Sequence, residues 1–440
     1  MATQYSDIYI DGITTEELYS DGGQIVEAWL NGECIWKLIE GLEGYWKHIF
    51  CWTRYKNTNY GFGGYKPENI FTPKYTPVYF HGKNVENMLF SKHQTSGFSD
   101  GTIISAYDFG ICTFSSSTVG VLSFDVNSTG TFNAKDFPER LEPVNNFLGD
   151  EFVNISTPLG SSCNVFNRRY HIFSADYGKK VGSVTYTIGA AVIKDVLNNT
   201  IETIVFDTPI NGSYYALGPC TYFKEKVYFP GRKTSSSVTE SNTYLPLFYI
   251  NKYKELEHLE TPVPFSTLKY ANVAGVDAND SRIVWVCIIY SVSDSGTYLY
   301  EYDGSTIKYN LVYKENYASG VKIVGQYIVL YGFYKFSSNN HLAGYKMYAG
   351  KTIYDLILFN FSANDYGLDY GKLTSSGNSA MPRIFYEESG ELFFDIVFTQ
   401  EETGPTRYVG NSYVLKMKFN FDTGKIDEVS RTEINGTWEE

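Results

Sequence analysis

The sequence predicts an all-β chain: a small N-terminal β-hairpin module, then a β-propeller of six four-stranded blades, or seven if residues 45–87 form a divergent first blade. Three observations carry this. Aromatic residues make up 17% of the 440 residues, and charged residues only 19%. Aromatic side chains favour the pleated, half-buried surface of a strand. Next, an alternating aromatic strand running into a polar turn recurs along the chain. Phe419-Asn-Phe-Asp-Thr-Gly424 and Leu299-Tyr-Glu-Tyr-Asp-Gly304 are its clearest copies. Leu122-Ser-Phe-Asp125, Val192-Ile-Lys-Asp195, Leu247-Phe-Tyr-Ile-Asn251 and Leu358-Phe-Asn-Phe361 are weaker ones. The positions after these strands (125, 195, 251, 303, 362, 422) return about every 60 residues, a period that suits all-β repeats. Finally, a strand–turn–strand unit precedes most of these copies.

The elements follow in order. Within residues 1–41, Asp7-Ile-Tyr-Ile-Asp-Gly-Ile13 and Val26-Glu-Ala-Trp-Leu-Asn-Gly-Glu-Cys-Ile-Trp36 each hold an Asp-Gly or Asn-Gly pair between apolar residues. Such pairs adopt φ > 0 readily and favour the two-residue hairpin turn. The segment predicts two hairpins with too little core to stand alone, so Ile8, Ile10, Trp29, Ile35 and Trp36 are expected to face a partner. Gly41 to Gly44 is the expected hinge into the 42–440 propeller.

Between 45 and 65, Trp46, Trp52, Tyr55, Tyr60, Phe62 and Tyr65 alternate with Gly, Asn and basic residues. Sugar C–H faces pack on aromatic rings while amides take up hydroxyls, so Trp46, Trp52, Tyr55, Tyr60 and Tyr65 are candidate glycan-binding residues. The plainer alternative is that they fill the first blade.

The preceding strand–turn–strand units begin with Cys163-Asn-Val-Phe-Asn-Arg-Arg-Tyr-His-Ile-Phe173 and Cys220-Thr-Tyr-Phe-Lys-Glu-Lys-Val-Tyr-Phe229. Others lie at Ala278 to Val286, Val324 to Leu330 and Phe385 to Phe394. Their second strands are expected to start near 170, 227, 283, 327 and 392. Residues 102–132 supply the earliest copy. Ser-, Gly- and Asn-rich stretches such as Gly231–Asn242 and Phe336–His341 are expected loops between second and third strands, all on one face, where recognition concentrates. No 3.6-residue apolar period persists, so little helix is expected.

The net charge of −13 includes eight acids against one base in residues 1–40. That is the wrong sign for a nucleic-acid surface or an anionic membrane. No apolar run is long enough to span a membrane, and the first residues do not resemble a signal peptide. Cys34, Cys51, Cys112, Cys163, Cys220 and Cys287 are widely spaced, as expected of free thiols.

The residues carry no catalytic motif. There is no H-E-x-x-H, G-x-S-x-G or P-loop. Tyr60-Gly-Phe-Gly-Gly-Tyr65 lacks the strand–helix setting of a phosphate loop. Ser293-Asp-Ser-Gly-Thr-Tyr298 departs from the Asp-box of sialidase propellers by a missing spacer. His48, His81, His93, His171, His258 and His341 have no ligand partner at metal spacing. Asp125, Asp303 and Asp422 lack calcium-loop spacing and are expected to cap turns. No catalytic residue, metal or cofactor is assigned. A carboxylate pair for neutral-sugar hydrolysis is the competing expectation; a kelch-like scaffold lacks its repeated Gly-Gly, which occurs only at Gly22-Gly23 and Gly63-Gly64.

The run Ile-Tyr-Ile-Asp-Gly…Glu-Ala-Trp-Leu-Asn-Gly-Glu-Cys-Ile-Trp-Lys in residues 8–37 resembles short N-terminal hairpin segments of tail and baseplate proteins of phages that infect Gram-positive bacteria. The resemblance implies a non-enzymatic virion protein, assembled in the bacterial cytoplasm in several copies per particle. Residues 1–41 would dock to other tail or baseplate proteins. The propeller would act as spacer or receptor-binding domain for cell-surface polysaccharide.

Overall fold

The computed structural model describes strands within residues 8–37 and 45–67, residues 76–90, strands within 103–122, residues 147–148, strands within 153–166, and then residues 169–195, 198, 200–233, 244–263, 268–291, 295–314, 320–336, 342–367, 384–401 and 409–438. Before residue 82, within 103–122 and over most of 153–166, only the backbone is described.

The N-terminal segment forms three hairpins rather than two. Ile8–Ile10 pairs with Ile13–Thr15, Leu18–Ser20 with Gly23–Ile25, and Glu27–Leu30 with Glu33–Lys37. The additional hairpin spans Asp21-Gly22, an Asp-Gly pair of the same kind as the two that mark its neighbours. Each hairpin is a two-stranded sheet of its own.

Beyond it, seven sheets of three to five strands follow among the described residues, named A to G in chain order. Sheet A contains Tyr45–Tyr55, Thr58–Pro67, Thr76–Gly82 and Met88–Phe90. Three strands of sheet B lie within 103–122. Sheet C runs from Val153–Ser156 to Thr200–Phe206, and sheet D from Ala216–Leu217 to Leu256–Pro262. Sheet E holds Leu268–Ala278, Ile283–Ser291, Ser295–Tyr302 and Ile307–Tyr313. Sheet F holds Gly320–Val324, Tyr327–Phe336, Leu342–Gly350 and Ile357–Ser362. Sheet G holds Ile384–Glu388, Glu391–Glu401, Val409–Asn420 and Lys425–Glu433. Sheets E, F and G are four-stranded antiparallel meanders in sequence order. One short 3₁₀ turn, Ala363–Tyr366, is the helical content of the described residues.

The last strand, Gly436–Trp438, pairs in parallel with Met88–Phe90, which places the chain's end in its first sheet. The backbone hydrogen bonds Met88 N to Asn435 O (2.7 Å) and Asn435 N to Val85 O (3.0 Å) secure the joint. Strand Tyr45–Tyr55 in turn packs on sheet G. Successive meanders packed side by side and closed by the terminal strand make this a β-propeller. The first strands of sheets D, E, F and G approach their neighbours in turn. At Gly275 a Cβ would come within 2.8 Å of Gly320 Cα, so glycine is what lets the first strands of sheets E and F meet.

Apolar alternation fills the gaps between sheets. One cluster, including Phe229, Phe248, Trp285 and Tyr300, joins sheets C, D and E. A second, with Val284, Val286, Leu299 and Leu330, lies between E and F. A third, with Phe359, Phe394, Met417 and Phe419, lies between F and G.

In a meander, the turns joining strands one–two and three–four share one edge. Here those turns tie neighbouring sheets together. Lys224 Nζ donates to Asp303 O (3.0 Å) from D to E, and Arg282 Nη2 to Gln326 O (3.1 Å) from E to F. From F to G, Gln326 N donates to Glu387 Oε2 (3.1 Å) and Tyr327 OH to Gly390 O (2.7 Å). The second-to-third connections border the opposite edge. In sheet C, where the extra strand Val153–Ser156 precedes the four that match the other sheets, the equivalent turn joins Tyr170–Val181 to Val184–Asp195 at Gly182 (φ 62°). The expected loops at 234–243 and 337–341 lie outside the described residues.

The second strands start at 170, 226, 283, 327 and 391, next to the sequence expectation. One repeat copy needs correction. Leu358-Phe-Asn-Phe361 belongs to the fourth strand of sheet F, not the third. The third-to-fourth turn there is 351–356, closed by Asp355 Oδ1 accepting from Thr352 N (2.7 Å). The third strand ends on Tyr348-Ala-Gly350 without alternating aromatics, so the pattern matched the neighbouring strand instead.

Candidate functional site

A groove lined by described residues lies at the seam between sheet G and the ring closure. It encloses about 390 Å³ and is lined by Tyr386, Glu388, Asp395, Lys416 and Thr432, with Val85 of the closure. Register explains why these residues meet. Tyr386 pairs with Phe393, Asp395 with Lys416, and Lys416 with Ser430, which puts them on one face of the sheet. The opposite face carries Leu392, Phe394, Ile396, Leu415 and Met417, buried against sheet F.

Three features give the groove its chemistry. Tyr386 and Phe393 stack at 5.7 Å with an interplanar angle of 16°. The Tyr386 hydroxyl donates to Asp395 Oδ1 (2.9 Å), a carboxylate only 7% exposed. The Lys416 ammonium lies 4.7 Å from the Phe393 ring centre and 5.6 Å from that of Tyr386, and donates to Glu388. An aromatic platform flanked by carboxylates, hydroxyls and a cation can hold a small polar ligand with apolar faces.

The sequence-predicted aromatics are brought to this neighbourhood as backbone. Trp46, Trp52 and Tyr55 lie on Tyr45–Tyr55, Tyr60 and Tyr65 on its partner Thr58–Pro67, all in one hairpin of sheet A. Tyr45–Tyr55 is the strand that packs on Glu391–Glu401 and Val409–Asn420, the strands bearing Asp395 and Lys416. The five side chains lie outside the described residues. So do those of Ile8, Ile10, Trp29, Ile35 and Trp36, whose backbones occupy the first and third N-terminal hairpins.

Tyr386, Glu388, Asp395 and Lys416 are not among the sequence-predicted site residues. A signal was present. A propeller sheet covered on both faces reads as a continuous apolar run, as Ile283-Val-Trp-Val-Cys-Ile-Ile289 does. The third strand of sheet G instead alternates, as Leu415-Lys-Met-Lys-Phe419 does.

The remaining candidates are structural. His171 is buried, and burial, aided by the charge of Lys194, lowers its pKa to about 3. Asp303 Oδ1 accepts from Ser305 N and Thr306 N (both 2.8 Å), which with Ser305 Oγ holds its carboxyl well below the usual range. Asp422 does not cap its turn; Asn420 Oδ1 accepts from Thr423 N instead (3.1 Å). Asp125 lies outside the described residues. The segment Ser295–Tyr298 begins a strand, not an Asp-box turn. Tyr60-Gly-Phe-Gly-Gly-Tyr65 is strand. Asp195 is bound by Arg169 Nη2 (2.6 Å), which holds its carboxyl below the usual range. Asp277 is buried and its pKa raised by that burial, against the pull of Lys322 and the Ile323 N–H (2.8 Å). Cys220 and Cys287 are buried free thiols. No group of three metal-ligating residues occurs among the described residues.

No family model and no curated protein matches the chain. Among solved structures, it is similar to the endosialidase of phage phi92, at 9% identity and a TM-score of 0.32, over 91% of this chain and 76% of that one. Polysaccharide lyase Uly1 matches at 9% identity and a TM-score of 0.41, over 94% of both chains. An acylaminoacyl peptidase of Pyrococcus horikoshii matches at 10% identity and a TM-score of 0.41, over 87% of this chain and 52% of that one.

Proposed function

We propose that this chain is a non-enzymatic phage virion protein of the tail or baseplate, whose propeller binds cell-surface polysaccharide and whose residues 1–41 dock it to the particle. The observation that carries the binding role is the sheet G groove. It combines the Tyr386 ring, stacked on the buried Phe393, with carboxylate, hydroxyl and ammonium groups in a fixed register. Saccharides offer C–H faces and hydroxyls that match such a lining. The hairpin strand bearing Trp46, Trp52 and Tyr55 borders the same seam. The attachment role rests on the three N-terminal hairpins, each a two-stranded sheet of its own, a size that is marginal in isolation, and on their resemblance to phage tail segments.

Hydrolysis is the second reading, because Glu388 and Asp395 line one groove and paired carboxylates suffice for glycoside cleavage. Their present partners favour binding: Glu388 is engaged by Lys416 and Asp395 by Tyr386.

The test is incubation of the full chain with purified wall polysaccharides of Gram-positive bacteria. Saturable retention without released oligosaccharide at any pH from 4 to 8 is expected. Release of oligosaccharide turns the reading to a hydrolase, and absence of retention overturns it. Deletion of residues 1–41 is expected to preserve retention and abolish incorporation into particles.

A further inference from the structure

The geometry points to an amine-bearing saccharide as the ligand of the sheet G groove, held where the protein now holds its own Lys416. This rests on the groove being a saccharide site. The argument starts from what already occupies the platform. Lys416 Nζ sits over the stacked faces of Phe393 and Tyr386 and is anchored by the Glu388 carboxylate. Aromatic faces plus a carboxylate form a cage for an ammonium group, since the ring quadrupole and the anion attract the same charge. The side chain that fills it is on a flexible stem and is 29% exposed, while Glu388 is 56% exposed. It can therefore leave for solvent without unpacking the sheet.

Charge around the groove agrees. Glu388 lines the groove and pairs with Lys416, a cation among its described lining residues. An acidic sugar entering this lining meets repulsion, whereas a glucosamine-type amine gains Glu388 and the rings in exchange for water.

Isothermal titration of the full chain with three oligosaccharides of equal length tests this: β-1,4-linked glucosamine, its N-acetylated counterpart, and oligogalacturonate. The free amine is expected to bind at least about tenfold more tightly than the N-acetyl form, the size of one charge-assisted contact, with the galacturonate weakest. Glu388→Gln is expected to erase the preference. Lys416→Gln, which vacates the cage, is expected to tighten amine binding and leave the N-acetyl form unchanged. Thermal melts of both variants confirm folding. Equal or reversed preference, or no gain in Lys416→Gln, overturns the inference alone. Absence of binding by all three overturns it together with the reading of the groove.

Discussion

Sheets E and G are the same four-stranded meander, yet they use their faces differently. In sheet E both faces are spent on packing: Trp285, Cys287 and Tyr300 point to one cluster, Val284, Val286 and Leu299 to another. In sheet G one face packs through Phe394 and Met417, while the other presents Tyr386, Asp395 and Lys416 to a groove. Strand pairing and turn chemistry are shared, so these do not distinguish the two blades. The distinction lies in the second face.

The most severe test of that contrast is truncation in matched positions. Trp285 is 2% exposed and stacks on Tyr300 at 5.2 Å. Trp285→Ala should cost about 3–5 kcal/mol in urea unfolding, through lost burial and the cavity left behind. Lys416→Ala, on the groove-lining face of sheet G, should change stability by less than about 0.5 kcal/mol. Comparable losses at both positions would mean that the sheet G face is packed after all.

Acid should separate sheet C from the rest. His171 protonates near 6.5 in the unfolded chain, but burial first, and Lys194 second, hold it neutral in the fold down to about 3. Between those values the unfolded state binds the extra proton, so its contribution is intact above pH 6.5 and is lost as pH falls. At about pH 4.5 the loss is roughly 2.7 kcal/mol, at about 1.36 kcal/mol for each pH unit. His171→Leu should flatten this part of the pH–stability curve. A curve unchanged by the substitution would show that His171 has access to protons in the fold.

The ring closure offers a third contrast. Ending the chain after Ile434 removes the Asn435 bonds to Met88 and Val85 and the strand Gly436–Trp438. The two Asn435 bonds alone set a loss of at least about 2 kcal/mol, at about 1 kcal/mol for each backbone hydrogen bond, and the lost strand pairing adds to it. Hydrogen exchange should quicken in sheet A and not in sheet E. Uniform quickening would mean that the ring opens as one unit.

Most of the fold was legible because it is local. Aromatic alternation and Asp-Gly or Asn-Gly pairs act within a few residues, and they located the inner hairpins within one residue of their starts. The Asp21-Gly22 hairpin carried the same signal and was passed over. The misplaced copy at Leu358 shows the limit: third and fourth strands of a blade both alternate, so periodicity alone cannot tell them apart. The groove was harder to see. Tyr386, Asp395 and Lys416 meet only through register across three strands, and no short motif encodes that.

The smallest effect decides what the repeated turn is for. If its acid were a conserved ligand, Asp303 and Asp422 would behave alike. The structure gives them different work. Asp303 accepts from two backbone N–H groups and the Ser305 hydroxyl, whereas in the last blade Asn420 accepts from Thr423 N and donates to Asp427 (2.8 Å). Asp303→Ala should therefore lower Tm measurably. Asn420→Ala should cost about 1 kcal/mol, the usual net worth of such a hydrogen bond. Asp422→Ala should be neutral within about 0.5 kcal/mol. Because the cap shifts by two positions between blades and changes from Asp to Asn, what recurs is a side-chain acceptor oxygen at the strand's end, a requirement of the turn. A loss at Asp422 equal to that at Asn420 would restore the acid itself as the repeated element.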